Sequence, residues 1–545
     1  MPKVKNLQSA AMEAFGKTQY RECISHLQEA LKLAPKHQET YYNLGVALMA
    51  INEQQPAITC FKQAIKLNAR DADAFNNLGL VYIAQGKVTE ASKAFQSAID
   101  INPTLLEAHG NLGNALRTRG LLEESWNCFQ HALHMAPKNA DIHKTLLLTL
   151  MYMPGQTNQM VFEQVCRFQD SHETMLGVRP PMRQTSNKKL RIGYVSSDFK
   201  NHPVGINLAP LIEHHNHQDF EIFLYGEVPN HDVFTQNFQT WADHWRSTVN
   251  KTDAEVAAQI KHDQIDILIF LAGILDNNRL LLANQRAAPI QVSYHNLTST
   301  GLKSIDYWLT DSYLHPENKS ESFTESLLHL PQFYVYPAMN QSPEITPTPA
   351  LKQGHITFGS FNNPAKLNHQ VLELWAALLL ATKNSKLLLK YAGVFQSADN
   401  RNRFLEKFAS FGVDKDRILF QSQKEPQIDH LARYGQVDIA LDPFPFNGAT
   451  TTFEALWMGV PVVTLKGHNF RSRAAGSILH ILGLDHWIAE SAEQYIAIAK
   501  KMSSDFRALN QLRQGLRPRM IKSRLCDGAT YAKHLESILK IIVTS

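Results

Sequence analysis

Residues 442–459 read DPFPFNGATTTFEALWMG. An apolar run at 437–441 stops at Asp442, a Pro/Gly loop follows, and Thr450, Thr451 and Thr452 open a short helical stretch that Gly459 closes before another apolar run at 460–465. The first amides of a helix have no partner within it, so with hydroxyls beside them they form an anion site suited to a diphosphate. A single N-cap would account for Thr450, but three consecutive threonines exceed what capping needs. Glu454, one turn further on, is placed for a ribose hydroxyl pair, or simply as a favourable charge near a helix start.

Lys366 lies in the loop NNPAK (362–366), directly after the apolar run 356–361, with Asn363 close by. A lysine at such a strand end can neutralise charge building on a departing phosphate; without its neighbours it would read as a solvated lysine. His202, in SSDFKNHP (196–203), follows another apolar run and is suited to act as a base or as a substrate orienter. His430 and Arg433 fall one helical turn apart just before 437–441, either as ligand contacts or as a solvated face. Asp414-Lys415-Asp416 precedes an apolar run, whereas a nucleotide-sugar metal motif should follow one, so it reads as a turn and no metal site is expected. There is no GxGxxG and no P-loop.

These residues need elements to hold them. Short apolar runs at 191–195, 220–225, 265–271, 290–294 and 307–310 alternate with helical stretches; a proline-rich connector (Pro337, Pro343, Pro347, Pro349) leads to a second set at 356–361, 386–391, 417–421, 437–441 and 460–465. Such alternation in two blocks predicts two doubly wound parallel sheets with a cleft between them, at the carboxyl ends of the strands. Upstream the texture differs. Leu44-Gly45, Leu78-Gly79 and Leu112-Gly113 recur every 34 residues, with Phe61, Phe95 and Phe129 and with Ala64, Ala98 and Ala132 in matching slots. That is the tetratricopeptide pattern of paired antiparallel helices. Four repeats and a capping helix are expected, ending near Met153. Asn43, Asn77 and Asn111 share one slot of successive first helices; repetition at one helical position favours a track for an extended peptide over consensus drift.

The expected organisation is an α-helical repeat solenoid (4–153), a helical linker (154–187), two Rossmann-like lobes (188–340 and 352–500) and C-terminal helices (501–545). A formal charge of +4 from 54 basic and 50 acidic residues in 545 is too mild and too dispersed for a nucleic-acid binder. Five single cysteines without a CxxC pair suit a reducing compartment, and no apolar run spans a bilayer, so a soluble cytoplasmic protein is expected.

Together these features resemble the O-GlcNAc transferase/SPINDLY family of protein glycosyltransferases, in its bacterial form: tetratricopeptide repeats followed by a GT-B catalytic region. RIGYVSSDF (191–199) with Asn201-His202-Pro203 is similar to the first-lobe signature; FGSFNN (358–363) with Lys366, and 442–459, are similar to the second-lobe signature. The resemblance implies an inverting, metal-independent transfer of GlcNAc from UDP-GlcNAc to Ser/Thr of proteins guided along the repeat groove, with no cofactor. It implies that Lys366 contacts the donor diphosphate with Asn363 nearby, that Thr450 and Thr451 bind phosphate, and that His430 packs on the nucleobase beside Arg433. Glu454 would then meet the ribose, and His202 would lie near sugar and acceptor. Three positions depart from the family pattern. Ala449 stands where many members carry histidine, HNLTSTG (295–301) replaces GYPGTSG, and Ile274 follows Leu-x-Gly where relatives have histidine. These loops face the sugar in the family, which keeps GDP-fucose or a glucose donor as same-scaffold alternatives and an inactive repeat scaffold as one of another class.

Overall fold

Each 34-residue unit folds into an antiparallel helix pair: α1 (Pro2–Gly16) with α2 (Tyr20–Leu33), α3 (Gln38–Ala50) with α4 (Gln54–Leu67), α5 (Ala72–Ala84) with α6 (Val88–Ile101), and α7 (Leu106–Thr118) with α8 (Leu122–Met135). This computed structural model describes residues 2–172, 177–183, 188–275, 277–317, 321–339, 341–391, 393–422 and 426–544. The repeated glycines explain the pairing. A Cβ on Gly45, Gly79 or Gly113 would lie 2.7, 2.4 or 2.7 Å from the ring of Phe61, Phe95 or Phe129, so only glycine lets the two helices of a unit close on a buried phenylalanine.

The capping helix α9 (Ala140–Tyr152) packs against α10 (Asn158–His172). Leu147, Leu150, Val161, Val165 and Phe168 share one apolar cluster with Val195, Phe270 and Leu302 of the next domain, so the solenoid ends on the first lobe and not in solvent. Residues 173–176 and 184–187 of the expected linker, and Asn340, lie outside the described residues.

The first lobe is built on seven parallel strands in the order β3-β2-β1-β4-β5-β6-β7. These are β1 (Leu190–Ser196), β2 (Phe220–Gly226), β3 (His244–Ser247), β4 (Ile267–Leu271), β5 (Ile290–Tyr294), β6 (Tyr307–Asp311) and β7 (Ser326–Leu330), with α11 (Pro203–Glu213), α12 (Val233–Trp241) and α13 (Asp253–His262) in the crossovers. The second has six, β10-β9-β8-β11-β12-β13: β8 (Thr357–Ser360), β9 (Lys386–Lys390), β10 (Ile418–Gln421), β11 (Ile439–Leu441), β12 (Val462–Leu465) and β13 (Ile488–Ala489). Its helices are α14 (Ala350–Gln353), α15 (His369–Ala381), α16 (Ala398–Ser410), α17 (Gln427–Ala432), α18 (Thr450–Trp457), α19 (Ala474–Ile481) and α20 (Ala492–Met502). All ladders are parallel, with Ile192 opposite both Ile222 and Ile267 in the first sheet and Phe358 opposite both Leu387 and Ile439 in the second. Both sheets therefore reverse direction beside their first strand, which is where doubly wound folds bind ligands.

The expected strands are present, and three more are added at the edges. β3 and β7 are half exposed and lack a continuous apolar run, and β13 has two residues; neither kind leaves a periodic signal. Of the C-terminal helices, α21 (Phe506–Ile521) packs on α18, whereas α22 (Gly528–Thr544) returns to the first lobe against α11. There Glu536 accepts from His215, whose other ring nitrogen bonds the Tyr194 hydroxyl, all three buried. The repeats in turn dock on the second lobe. Arg119 donates to Asn400 (3.1 Å), and Gly120, at φ +78°, abuts the Pro364 carbonyl so closely that a Cβ would lie 2.7 Å from it. The turn of one repeat thus presses on the loop that carries Lys366.

Candidate active site

A cleft of about 580 Å³ opens where the three parts meet, and His202, Asn363, Lys366, Thr450 and Thr451 all line it. Lys366 ends a short 3-10 turn after β8, capped by Asn363, whose side-chain oxygen accepts from the Ala365 amide at 3.0 Å. Its Nζ donates to the Asn447 carbonyl at 2.7 Å and sits 4.5 Å from the Phe446 ring centroid. Burial pulls the Lys366 ammonium below the ordinary lysine range, partly offset by the buried Asp442 carboxylate. Asp442 is itself pushed up by burial, although it accepts from the Gly448 amide (2.6 Å) and the Thr464 hydroxyl (2.7 Å).

Thr450 is not the N-cap. That position falls to Ala449, which offers no side chain to cap with, so the first amides of α18 stay uncovered by any side-chain cap. The three threonines divide the work. Thr452 turns back to the Gly448 carbonyl (2.7 Å), Thr451 donates to Asn362 Oδ1 (2.9 Å), and Thr450 faces the cleft. Lys366 follows β8 and α18 follows β11, neighbouring strands on either side of the reversal point.

His430 and Glu454 form an adjoining pair, Arg433 follows three residues after His430, and none of the three lines the cleft itself. His430 is on α17, and Arg433 opens the 3-10 turn that directly continues it, with Ala432 and Arg433 both right-handed helical. Lys390 donates to His430 Nδ1 (2.7 Å), which leaves the proton on Nε2 to be donated to buried Glu454 (3.2 Å); the Phe361 ring lies 5.9 Å from the imidazole.

From the first lobe, His202 caps α11 with its own ring: Nδ1 accepts from the Val204 amide (3.3 Å) and lies 3.5 Å from Asp198 Oδ1. Asn278 and Ser197 hold Asp198 in turn. Among the departing positions, Ile274 is buried and His295 has φ +57° with its ring against Phe333. Burial pushes the His295 imidazole down to about 3, which keeps it uncharged.

Asn43, Asn77 and Asn111 occupy equivalent half-buried places on α3, α5 and α7. Two of them tie neighbouring repeats: Asn77 donates to the Tyr42 hydroxyl (3.0 Å) and Asn111 to Asn76 Oδ1 (2.9 Å). Sequence reasoning missed Asn362, Phe446 and the helical residues Arg117, Thr118, Leu148 and Tyr152 in the cleft wall, and Lys390 and Asp442 behind it. Asn362 and Asp442 stand inside the recognised motifs and could have been found there. Tyr152, which stacks on Phe446 at 4.8 Å and 17°, carries no local signal because its partner is almost 300 residues away.

Two facing Rossmann-like lobes closing on an open helix N-terminus define the GT-B class, here with a tetratricopeptide solenoid ahead of it. The profile "Glycosyl transferase family 41" matches residues 161–342 and 347–535, and a TPR repeat profile matches 47–86 and 79–118. The chain belongs to glycosyltransferase family 41. It is similar to a protein of Oryza sativa subsp. japonica named "Probable UDP-N-acetylglucosamine--peptide N-acetylglucosaminyltransferase SPINDLY", 36% identical over 360 residues, 65% of this chain and 39% of that one. It is also similar to the Arabidopsis thaliana protein of the same description named SEC, 32% identical over 66% of this chain and 37% of the relative. The chain spans about two fifths of the length of these curated relatives. Among solved structures, a Thermobaculum terrenum O-GlcNAc transferase mutant superposes with a TM-score of 0.86 at 30% identity, covering 93% of this chain and 97% of that one.

Proposed function

We propose that the protein transfers GlcNAc from UDP-GlcNAc to serine and threonine hydroxyls of proteins that enter along the repeats. One observation carries this reading: Lys366 and the uncapped amides of α18 line the same cleft from adjacent strand ends. An acceptor hydroxyl attacks the anomeric carbon, the glycosidic C–O bond to the diphosphate breaks, and the negative charge released meets the lysine and the helix amides. The positive charge comes from the protein, so the proposal requires no metal or cofactor. His202 lines the cleft from the opposite lobe; with Nδ1 accepting from Val204 its Nε2–H would orient the acceptor, and taking the acceptor proton instead requires the tautomer with Nδ1–H toward Asp198. His430, Arg433 and Glu454 are assigned to the nucleoside, with Arg433 favouring uracil. Glu454 reaches a ribose only by sharing the carboxylate that His430 now holds. The asparagine slots are assigned to the acceptor backbone. Each amide that bridges repeats keeps a second N–H for a peptide.

The test is a transfer assay with UDP-GlcNAc, UDP-glucose and GDP-fucose on a protein acceptor, with Lys366→Ala alongside. Transfer from UDP-GlcNAc, lost in the variant, supports the reading. Preference for GDP-fucose or UDP-glucose moves it to another sugar on the same scaffold, and transfer from none of the three leaves a binding scaffold as the better account.

A further inference from the structure

Two arginines flank Ser472 at the start of α19, and they are treated very differently. Arg473 is fully used: it donates to the Leu314 carbonyl (2.6 Å), to Glu321 (3.2 Å) and to the Gly467 carbonyl (3.2 Å). Arg471 is 3% exposed, yet among the described residues its guanidinium has no hydrogen bond and no ion pair, and its Nε is sealed from solvent without a partner. The one carboxylate that acts on it, Glu321, is already spent on Arg473 and on the Phe470 amide. Burial lowers its pKa only to about 10, so at neutral pH it remains charged. A buried charge without a counter-charge is among the costliest features a fold can carry, and this one lines the donor cleft.

We infer that Arg471 is a second cation of the donor site and binds the distal phosphate of the nucleoside diphosphate. The inference rests on the donor reading above. Its geometry comes from one peptide segment: the Asn447 carbonyl accepts from Lys366 Nζ (2.7 Å), while the Asn447 amide donates to the Arg471 carbonyl (3.0 Å). The Lys366 ammonium and the Arg471 backbone are thus tied to the same residue of the loop that leads into α18, and both residues line the cleft. Order along the sheet assigns the phosphate. His430 of the nucleoside group meets Phe361 after β8 and Lys390 of β9, α18 with Glu454 follows β11, and Arg471 follows β12, one strand further from β9. A diphosphate ester brings two negative charges, which Lys366 and Arg471 match. A guanidinium also suits phosphate because its parallel N–H groups can bond two oxygens at once.

The test is calorimetric titration of wild type, Arg471→Met and Arg471→Lys with UDP and with UMP, or with GDP and GMP if wild type prefers guanine. The expected result for Arg471→Met is a diphosphate Kd raised by about 10- to 100-fold with the monophosphate Kd within about twofold, Arg471→Lys falling between. The melting temperature of ligand-free Arg471→Met is expected to equal or exceed that of wild type, since the substitution removes an unpaired buried charge. A diphosphate Kd within about threefold of wild type, an equal loss on the monophosphate, or a less stable ligand-free Met variant overturns the inference. Wild type that binds no nucleoside diphosphate overturns the donor reading instead, so the two failures are distinct.

Discussion

Two helices begin at the cleft, one from each lobe, and their first amides are treated differently. The helix α11 begins at the cleft with His202 capping it and Asp198 held by Asn278; α18 begins at the same cleft with Ala449, which caps nothing. In the repeats, Asn77 and Asn111 find partners on the preceding repeat, while the Arg471 guanidinium in the second lobe finds none among the described residues. Both lobes share one strand order, so topology does not explain the difference. An unspent cation and bare helix amides are expensive to keep, and an anionic ligand in this cleft would offset that cost.

The largest break in this contrast is Lys366→Ala. Transfer is expected to fall by at least about 10³-fold while circular dichroism stays unchanged, because the lysine makes one hydrogen bond to a loop carbonyl and holds no element together. His202→Ala acts on the capped helix. It should lower kcat by about 10²-fold and leave nucleotide affinity unchanged, and loss of the cap should cost about 1 kcal/mol in denaturant melts.

A third prediction concerns the junction of repeats and lobes, where His143 and His172 are buried with ring nitrogens 3.3 Å apart. Burial pushes His143 down to about 4, so the folded chain holds it neutral where the unfolded chain takes up a proton near pH 6.5. Its contribution is complete above pH 6.5 and is lost as the pH falls toward 4, by about 2 kcal/mol at pH 5. His143→Gln should flatten that slope in melts at pH 5 and 7.5. The smallest effect is that of the asparagines: Asn43, Asn77 and Asn111 changed together to Ala should raise KM for a protein acceptor by about threefold and leave that for a short peptide unchanged. An equal rise for both would confine those amides to the bridges between repeats.

Much of this arrangement was legible because its signals are local. The 34-residue spacing carries the solenoid, since each glycine must clear a phenylalanine at a constant offset, Gly45 with Phe61 and Gly79 with Phe95. Lys366 and the threonines stand in or just after the loops that follow apolar runs, and doubly wound sheets bring such loops to one edge. Edge strands β3 and β7 were hidden because half-exposed strands mix polar with apolar residues. Gly120 against Pro364, Tyr152 on Phe446, and the isolation of Arg471 depend on distant parts of the chain meeting or failing to meet, and no window of sequence holds both halves of such a relation.

On this reading the bare start of α18 holds the donor diphosphate. Ala449→Asp sets a carboxylate against those amides, where it both occupies them and repels the ligand. Titrating UDP into wild type and this variant should show binding in wild type and a Kd at least about 30-fold weaker in the variant, with Ala449→Asn intermediate. Equal UDP affinity in wild type and Ala449→Asp would contradict it.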